Sequence, residues 1–350
     1  MESTNENPDF IKFYNHFAEI VCRTITLAIS SPLTIFANPE QRKAMKKILI
    51  SLVLLLMLAF AAVYLFIPGK IKIVETISLN AALTGVSRSL VDETNWKKWW
   101  PGETLFNYNK QTHSIRSKIS SVYGIDIYSG KDTINSQLEL IAVKNDTMTI
   151  SWHAEQVTSN NPFTRFSQYR EAKVTEKNMK VILQSMKAFL EKTQNIYGFE
   201  IKKTLVPDSV LISVRRSFDH YPNVREIDSM IQDLKKYIVH NKAFEKNSPM
   251  LNVLKLDSSH YEAMSAIPVD RALPQTPEFA PKFLLKGGNI LEAQVQGGPH
   301  TIENGLQEIE NYRSDYGYTS PAIPYQLLVT DRLKETDTTK WITKLYYPVF

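Results

Sequence analysis

Side chains capable of acid–base, nucleophilic or metal chemistry are scattered along the 350-residue chain rather than grouped in motifs. His153 and Glu155, two residues apart on a predicted strand, share one face, but no third metal ligand lies nearby in the sequence. A Gly-rich phosphate loop, a nucleophile elbow and a pair of cysteines are all missing from the sequence. The sequence therefore predicts no metal site, no cofactor and no catalytic constellation.

Aromatic side chains are the other candidates, because binding pockets are lined mostly by apolar and aromatic groups. Trp100 and Trp152 are predicted to line such a pocket. The alternative is that they fill the core, since a tryptophan brings a large apolar surface. Both interpretations stay open at this stage.

Composition and charge exclude some classes of protein. With 43% hydrophobic and 22% charged residues, the chain can bury a core, so disorder is not expected. The net charge of +5 is too small for the dense basic face of a nucleic-acid-binding protein. The single cysteine, Cys22, allows no intramolecular disulfide, so packing alone must stabilise the fold.

One segment near the N-terminus has the length and purity of a membrane span. Residues 48–67, ILISLVLLLMLAFAAVYLFI, are uncharged, and 20 helical residues extend about 30 Å, the thickness of a bilayer's hydrocarbon core. Pro68-Gly69 is expected to end this helix. The sequence predicts a single transmembrane anchor.

The charges around the span predict its orientation. Four cations precede it and two follow it: Arg42, Lys43, Lys46 and Lys47, then Lys70 and Lys72. The positive-inside rule therefore favours residues 1–47 in the cytoplasm and the remainder outside, in a single-pass bacterial inner membrane protein. Apolar residues at helical spacing between 10 and 25 predict an amphipathic helix, either on the inner leaflet or packed on a protein surface.

The region after the span shows strand periodicity and then a long helix. KIKIVETISL alternates with period two, and Asn80 is expected to cap a helical stretch that contains Leu83, Val86, Leu90 and Val91. Strand candidates follow between 105 and 153, and 176–197 is helical. With ISLNAAL, VDETNWKKWWPG and the closing helix NMKVILQSMKAFLEK, residues 70–197 resemble the START-like, polyketide-cyclase (SRPBCC) superfamily. The resemblance implies a curved antiparallel sheet that grips the long helix around an apolar cavity.

The last part of the chain contains a duplication. Residues 208–269 and 288–349 have the same order of strand, Pro-containing turn, helix, strand and strand. Two such units side by side would form one pseudo-symmetric sheet backed by two helices. A cleft between the halves is then the expected ligand site. The predicted fold class is α+β: a transmembrane helix, a helix-grip module and a duplicated strand-helix-strand-strand module.

With GGPHTIENGLQEI and the final IPYQLLVTDRLKETDTTKWITKLYYPV, residues 199–350 resemble the gyrase-inhibitor-like, AraC effector-binding family. The family's pocket strand carries a Glu and, two residues later, a Tyr, and these positions are Gln326 and Leu328 here. The buried Glu binds cations or does acid–base work in the family, and Gln326 can do neither. The departure favours a hydrophobic or neutral ligand.

The predicted ligand-binding residues are Gln326, Leu328, Tyr346, Trp341, Tyr312, Tyr316, Trp100 and Trp152. By strand facing, the first three are expected to share one side of the sheet. The alternatives are core filling for the aromatic residues and an exposed amide for Gln326.

Three functional hypotheses follow. The first is a membrane-anchored, non-catalytic protein that binds or senses a small molecule, with the membrane and that ligand as partners and no nucleic acid. The second is a hydrolase or cyclase working in the START-like cavity, for which the nearest candidates are Asp126, Glu139, His153 and Glu155. The third is a structural or assembly protein with filled pockets. The oligomeric state stays open.

Overall fold

The structure, a computed structural model, describes residues 39–320 and 322–350. The amphipathic helix predicted between residues 10 and 25 lies outside the described residues, as does Cys22. Contacts divide the described residues into two compact units: 39–71 with 156–172, and 72–155 with 173–350. The predicted domain limits, 70–197 and 199–350, stay predictions.

The first element is the long helix α1 (Pro39–Phe66). The helix predicted over 48–67 is confirmed, but it begins nine residues earlier, because Pro39 suits the first turn and the Lys and Arg residues after it are good helix formers. Its segment Lys43–Phe66 is long and apolar enough, by length and composition alone, to cross a membrane.

The first antiparallel sheet follows α1 and has six strands in the order β1-β6-β5-β4-β3-β2. Strong period-two burial in the long strands places apolar side chains on the inner face and polar ones outside. The bounds are β1 (Lys70–Leu79), β2 (Asn107–Tyr108), β3 (Gln111–Ile119), β4 (Val122–Ser129), β5 (Asp132–Lys144) and β6 (Thr147–Val157).

Helices α2 (Leu83–Val91), α3 (Pro162–Leu190) and α4 (Thr193–Tyr197) belong to this part of the chain, and a 3₁₀ turn spans Glu93–Lys98. The predicted cap of α2 is wrong: the N-cap is Ala82, while the Asn80 amide donates to Glu191. The long helix begins 14 residues before the predicted 176. Asn161 accepts from the amides of Phe163 and Thr164, which caps the start of α3.

The second sheet has eight antiparallel strands in the order β11-β8-β10-β9-β13-β14-β12-β7. The two halves, β8-β10-β9 and β13-β14-β12, meet where β9 pairs β13. The order of equivalent strands in one half is therefore reversed in the other. The bounds are β7 (Ile201–Leu205), β8 (Val210–Phe218), β9 (Met250–Lys255), β10 (Tyr261–Pro268), β11 (Phe279–Phe283), β12 (Asn289–Gln296), β13 (Tyr325–Leu328) and β14 (Ile342–Pro348). The predicted duplication and the α+β class are confirmed; the edge strands β7 and β11 were not predicted.

Two helices cover one face of this sheet, α5 (Val224–His240) on the first half and α6 (Pro299–Asp315) on the second. A capping box in which Asn223 and Glu226 bond each other's backbone fixes the start of α5. Apolar stripes of the two helices pack on the strands beneath them, and Leu328 belongs to the α5 core while Leu345 belongs to the α6 core. This helix-covered face is the one on which the candidate site lies.

A polar junction connects the two sheets within their common unit. Arg88 of α2 forms an ion pair with Asp315 at the end of α6, with 2.6 Å between Nη2 and Oδ2. The Tyr197 hydroxyl donates to the same carboxylate at 3.0 Å. Because Asp315 accepts from Arg88 of α2 and from Tyr197 of α4, these contacts fix α6 against both helices.

Candidate functional site

A cleft of about 160 Å³ lies between α5 and the segment that follows β13. Its apolar wall comes from one stripe of the helix and from the end of the strand: Val224, Ile227, Ile231, Leu328 and Val329. Its polar wall includes Asp228, Lys235, Asp331 and Arg332. An engineered cavity of about 150 Å³ holds benzene, so this cleft has room for a ring-sized body.

Arg332 connects the cleft to the middle of the sheet. Its Nη2 donates to Thr343 Oγ1 at 2.9 Å and to Gln326 Oε1 at 3.4 Å. Gln326 is 4% exposed and Thr343 is fully buried, so these bonds are made inside the fold. The carbon of the guanidinium lies 4.8 Å from the Trp341 ring centroid, a cation–π distance. Arg332 is thus held on three sides.

Burial lowers the pKa of Arg332, because removal from water disfavours the charged form. Tyr221, in the turn before α5, interacts with the Gln326 side chain and with the arginine charge. Burial is nevertheless the largest influence and raises the pKa of the Tyr221 phenol. The centre of the site is therefore a cation among neutral hydrogen-bonding groups.

The structure brings three predicted residues together here. Gln326 and Leu328 lie on the helix-covered face of β13, and Trp341, just before β14, packs under Arg332. The Trp341 indole donates to the Glu335 carbonyl at 2.9 Å, which fixes the ring. Gln326 is buried, so the exposed-amide alternative is wrong.

Tyr346 lies elsewhere. In the register, Gln326 opposes Leu345 and Tyr325 opposes Tyr346, so Tyr346 is on the face opposite Gln326. The shared facing predicted for Gln326 and Tyr346 is wrong, because facing across two strands depends on their register and not on sequence alone. Tyr346 stacks on Tyr325 at 5.3 Å between centroids and packs in a separate apolar cluster.

Tyr312 and Tyr316 lie at the C-terminal end of α6, stacked at 4.2 Å between ring centroids. They belong to the junction between the sheets: Tyr312 contacts Tyr197 at 5.2 Å, and Tyr316 bonds the Ala82 backbone. These residues contribute to the α6 core rather than to the cleft.

Trp100 and Trp152 are buried in the core of the first sheet, where both rings contact the buried His113. The His113 ring lies 5.2 Å from Trp100 and 6.0 Å from Trp152. Each indole is satisfied internally, Trp100 by the Asn107 carbonyl and Trp152 by the Ser136 hydroxyl, both at 2.9 Å. Both tryptophans are buried and packed as core residues are.

His113 itself is 3% exposed. Its Nδ1 lies 3.3 Å from the Phe106 carbonyl, and its Nε2 is buried without a hydrogen-bond partner. Burial lowers the pKa of His113 to about 4, so the ring is neutral at pH 7. The enzyme candidates Asp126, His153 and Glu155 lie on the other face of this sheet, where Asp126 pairs with Arg116.

A second cleft of about 160 Å³ lies on the face of the second sheet opposite helices α5 and α6, with an almost wholly apolar lining that includes Met264, Phe283 and Tyr325. Its amide Asn252 already donates to the Pro324 carbonyl at 2.8 Å. Within the described part of the chain, no group of three or more His, Cys, Asp or Glu side chains could hold a metal ion. The Arg332 cleft is thus the better-equipped of these two clefts for oriented binding, because it combines apolar walls with a fixed polar centre.

Comparison with known proteins gives weak likenesses. No family model and no curated protein matches the chain. The C-terminal domain of EcmrR shares 11% identity over 43% of this chain and 98% of its own, with a TM-score of 0.37. A hydrolase from Listeria innocua shares 11% over 43% and 91%, with a TM-score of 0.35. The Zhui aromatase/cyclase from Streptomyces sp. R1128 shares 11% over 35% and 94%, with a TM-score of 0.26. Likenesses this distant transfer no function.

Sequence reasoning missed Arg332 and Tyr221. Both lie in turns, where periodicity carries no signal, and Arg332 reaches the sheet only because the segment after β13 folds back over it. A resemblance-based search centred on Gln326 could not find a partner six residues later in an irregular segment.

Proposed function

We propose that the protein is a membrane-anchored, non-catalytic receptor for a small and largely apolar molecule, bound in the cleft beside Arg332. In this proposal the first sheet with α3 is a START-like module and the second sheet a gyrase-inhibitor-like module. The observation that carries the proposal is the cleft itself, in which apolar walls adjoin one buried and fully oriented polar centre.

Contacts at the end of α1 support the anchor. Arg165 donates from Nε to the Ile67 carbonyl at 2.9 Å, which satisfies one of the helix's terminal acceptors. The same guanidinium lies over the Tyr64 ring at 5.0 Å, and the Tyr64 hydroxyl bonds the Asn160 carbonyl. Tyrosine and arginine at a helix end are typical of a membrane–water interface.

Phe163 extends this surface toward lipid. It is 71% exposed, yet its ring meets the Phe60 ring edge-on at 5.6 Å. Phe60 lies six residues before the end of α1, which is about 9 Å along the helix axis. If α1 spans the bilayer, the start of α3 reaches the apolar edge of the membrane. The proposed location is a bacterial inner membrane, with residues 70–350 outside the cytoplasm.

The third hypothesis, a structural or assembly protein with filled pockets, describes the first sheet better than the second. Trp100, His113 and Trp152 are buried and pack against one another in the first sheet's core, the module for which the resemblance implies a cavity. A ligand site in the START-like module is therefore not proposed. The binding function is assigned to the second sheet alone.

Native mass spectrometry of the full chain in nanodiscs tests the proposal. The expected result is a bound small molecule that is lost in Val224→Trp, which fills the cleft from α5. Val239→Trp is the matched control, because Val239 is on the same helix but 72% exposed. A bound molecule retained in Val224→Trp, or none bound to the wild type purified from its native membrane, would contradict the proposal.

A further inference from the structure

The guanidinium of Arg332 has unused donors. Both of its hydrogen bonds come from Nη2, and Nε and Nη1 donate to no group in the described part of the chain. Arginine carries five N–H donors, so the Nε–H and the two N–H groups of Nη1 are free to donate to a ligand.

The same guanidinium also lacks a counter-ion among the residues that the structure describes. Other half-buried arginines are paired: Arg216 with Asp233 at 2.7 Å, and Arg313 with Glu310 at 2.6 Å. For Arg332 the oriented neighbours are neutral, namely Gln326, Thr343 and Trp341. A partly buried cation without a carboxylate is costly unless something negative joins it.

The arrangement is also preorganised. Two hydrogen bonds and the Trp341 ring fix the plane of the guanidinium, so little side-chain freedom is left to lose when an oxyanion binds. Both two-donor edges of a guanidinium include Nη2, which Thr343 and Gln326 already occupy. A carboxylate can therefore accept single charge-assisted hydrogen bonds from Nε–H or Nη1–H, which are about twice as strong as neutral ones.

The other charges around the cleft limit the ligand to a single negative charge. Asp331 is engaged by Lys334 at 3.1 Å, and Asp228 accepts from Gln232 at 3.2 Å. Both carboxylates remain on the polar wall and would repel a polyanion. Lys235 is drawn toward Glu245 at 3.7 Å and so competes little with Arg332.

From these observations we infer that the cleft takes a small monocarboxylic acid, with its carboxylate accepting from a free N–H of Arg332 and its apolar body against Val224, Ile231 and Leu328. This inference rests on the proposed binding function and specifies its ligand class. It also replaces the neutral ligand expected from Gln326, because the Gln326 side chain accepts from the cation Arg332, which favours an anionic ligand.

Benzoate and its neutral isostere benzamide are suitable probes, because both have a ring of the size that the cleft admits. Binding is measured by saturation-transfer NMR on the full chain in nanodiscs at pH 7. Benzoate is expected to bind roughly 10- to 100-fold more tightly than benzamide, the usual effect of a charge-assisted hydrogen bond. Val224→Trp should prevent binding of both probes.

Arg332→Met keeps an unbranched apolar stem over Trp341 and removes the charge. It should abolish the preference for benzoate, so that benzoate and benzamide bind with affinities within about twofold of each other. Arg332→Lys should retain only part of the preference, because a flexible ammonium lacks the fixed planar donors of the guanidinium. Arg225→Met, at an exposed position on α5, is the control for loss of one positive charge and should keep the preference.

The inference is overturned if benzamide binds as tightly as benzoate, if Arg332→Met keeps the preference, or if benzoate does not bind at all. The proposed receptor function is tested separately, by the native mass spectrum of the wild type and Val224→Trp. If the native mass spectrum shows a molecule that is lost in Val224→Trp while benzoate and benzamide bind equally, the receptor function is supported and the monocarboxylic ligand is contradicted.

Discussion

The buried histidine of the first sheet makes the stability of the protein depend on pH. His113 has a pKa of about 4 in the folded protein and about 6.5 when unfolded. Between these values the unfolded state binds more protons, so the free energy of unfolding falls as pH falls through this window. At about 1.4 kcal/mol per pH unit, His113 should cost the fold about 2 kcal/mol at pH 5 and about 3 kcal/mol at pH 4.

His113→Phe removes the titrating ring and keeps an aromatic side chain beside Trp100 and Trp152. The variant loses the contact with the Phe106 carbonyl, so it is expected to be less stable than wild type at pH 7.5. Toward pH 4 the difference should shift in its favour by about 3 kcal/mol, because only the wild type must protonate a buried imidazole.

Denaturant titrations at pH 4 to 7.5, followed by tryptophan fluorescence, measure this. Four of the five tryptophans, Trp96, Trp99, Trp100 and Trp152, lie in the first half of the chain and surround this core. Tyr123→Phe is the control, since it removes a phenol from the same core without removing a group that titrates in this range. Parallel stability curves for His113→Phe and wild type would refute the assignment of a neutral, buried His113.

Three other perturbations have defined outcomes. Asn223→Ala removes the side-chain cap of α5 and should lower the free energy of unfolding by about 1 kcal/mol in a denaturant titration. Gly305→Leu should cost about 2 kcal/mol or more by the same measurement, because a Cβ at 305 would already lie 2.6 Å from Leu345 Cδ1 inside the α6 core. Phe163→Trp should add fluorescence that lipids brominated near the headgroups quench; added fluorescence that these lipids leave unchanged would remove Phe163 from the membrane edge.

The sequence predicted the classes of the elements well where a period was strong. The apolar run at 48–67, the alternation in β1 and the apolar stripe of α5 each gave the correct element. The early start of α3 was not predicted, although Asn161-Pro162, a cap followed by a first-turn proline, is typical of a helix start. The edge strands β7 and β11 are short and weakly patterned, and only their partners make them strands.

The candidate site was only partly predictable. The positions Gln326 and Leu328 came from resemblance, and Trp341 from its aromatic character; the structure places all three around one guanidinium. The facing of Tyr346 required the register between β13 and β14. Arg332 required the path of an irregular segment, which depends on tertiary contacts and not on local propensity.

The shared carboxylate of Asp315 has a consequence for how the protein responds to occupancy. Because Arg88 and Tyr197 both bind it, melting of the second sheet must break contacts of the first, and the two are expected to unfold in one transition. A compound that stabilises only the C-terminal half would then raise the midpoint observed through indoles located in the other half. Trp96, Trp99, Trp100 and Trp152 would thus report occupancy of a site whose own indole is Trp341.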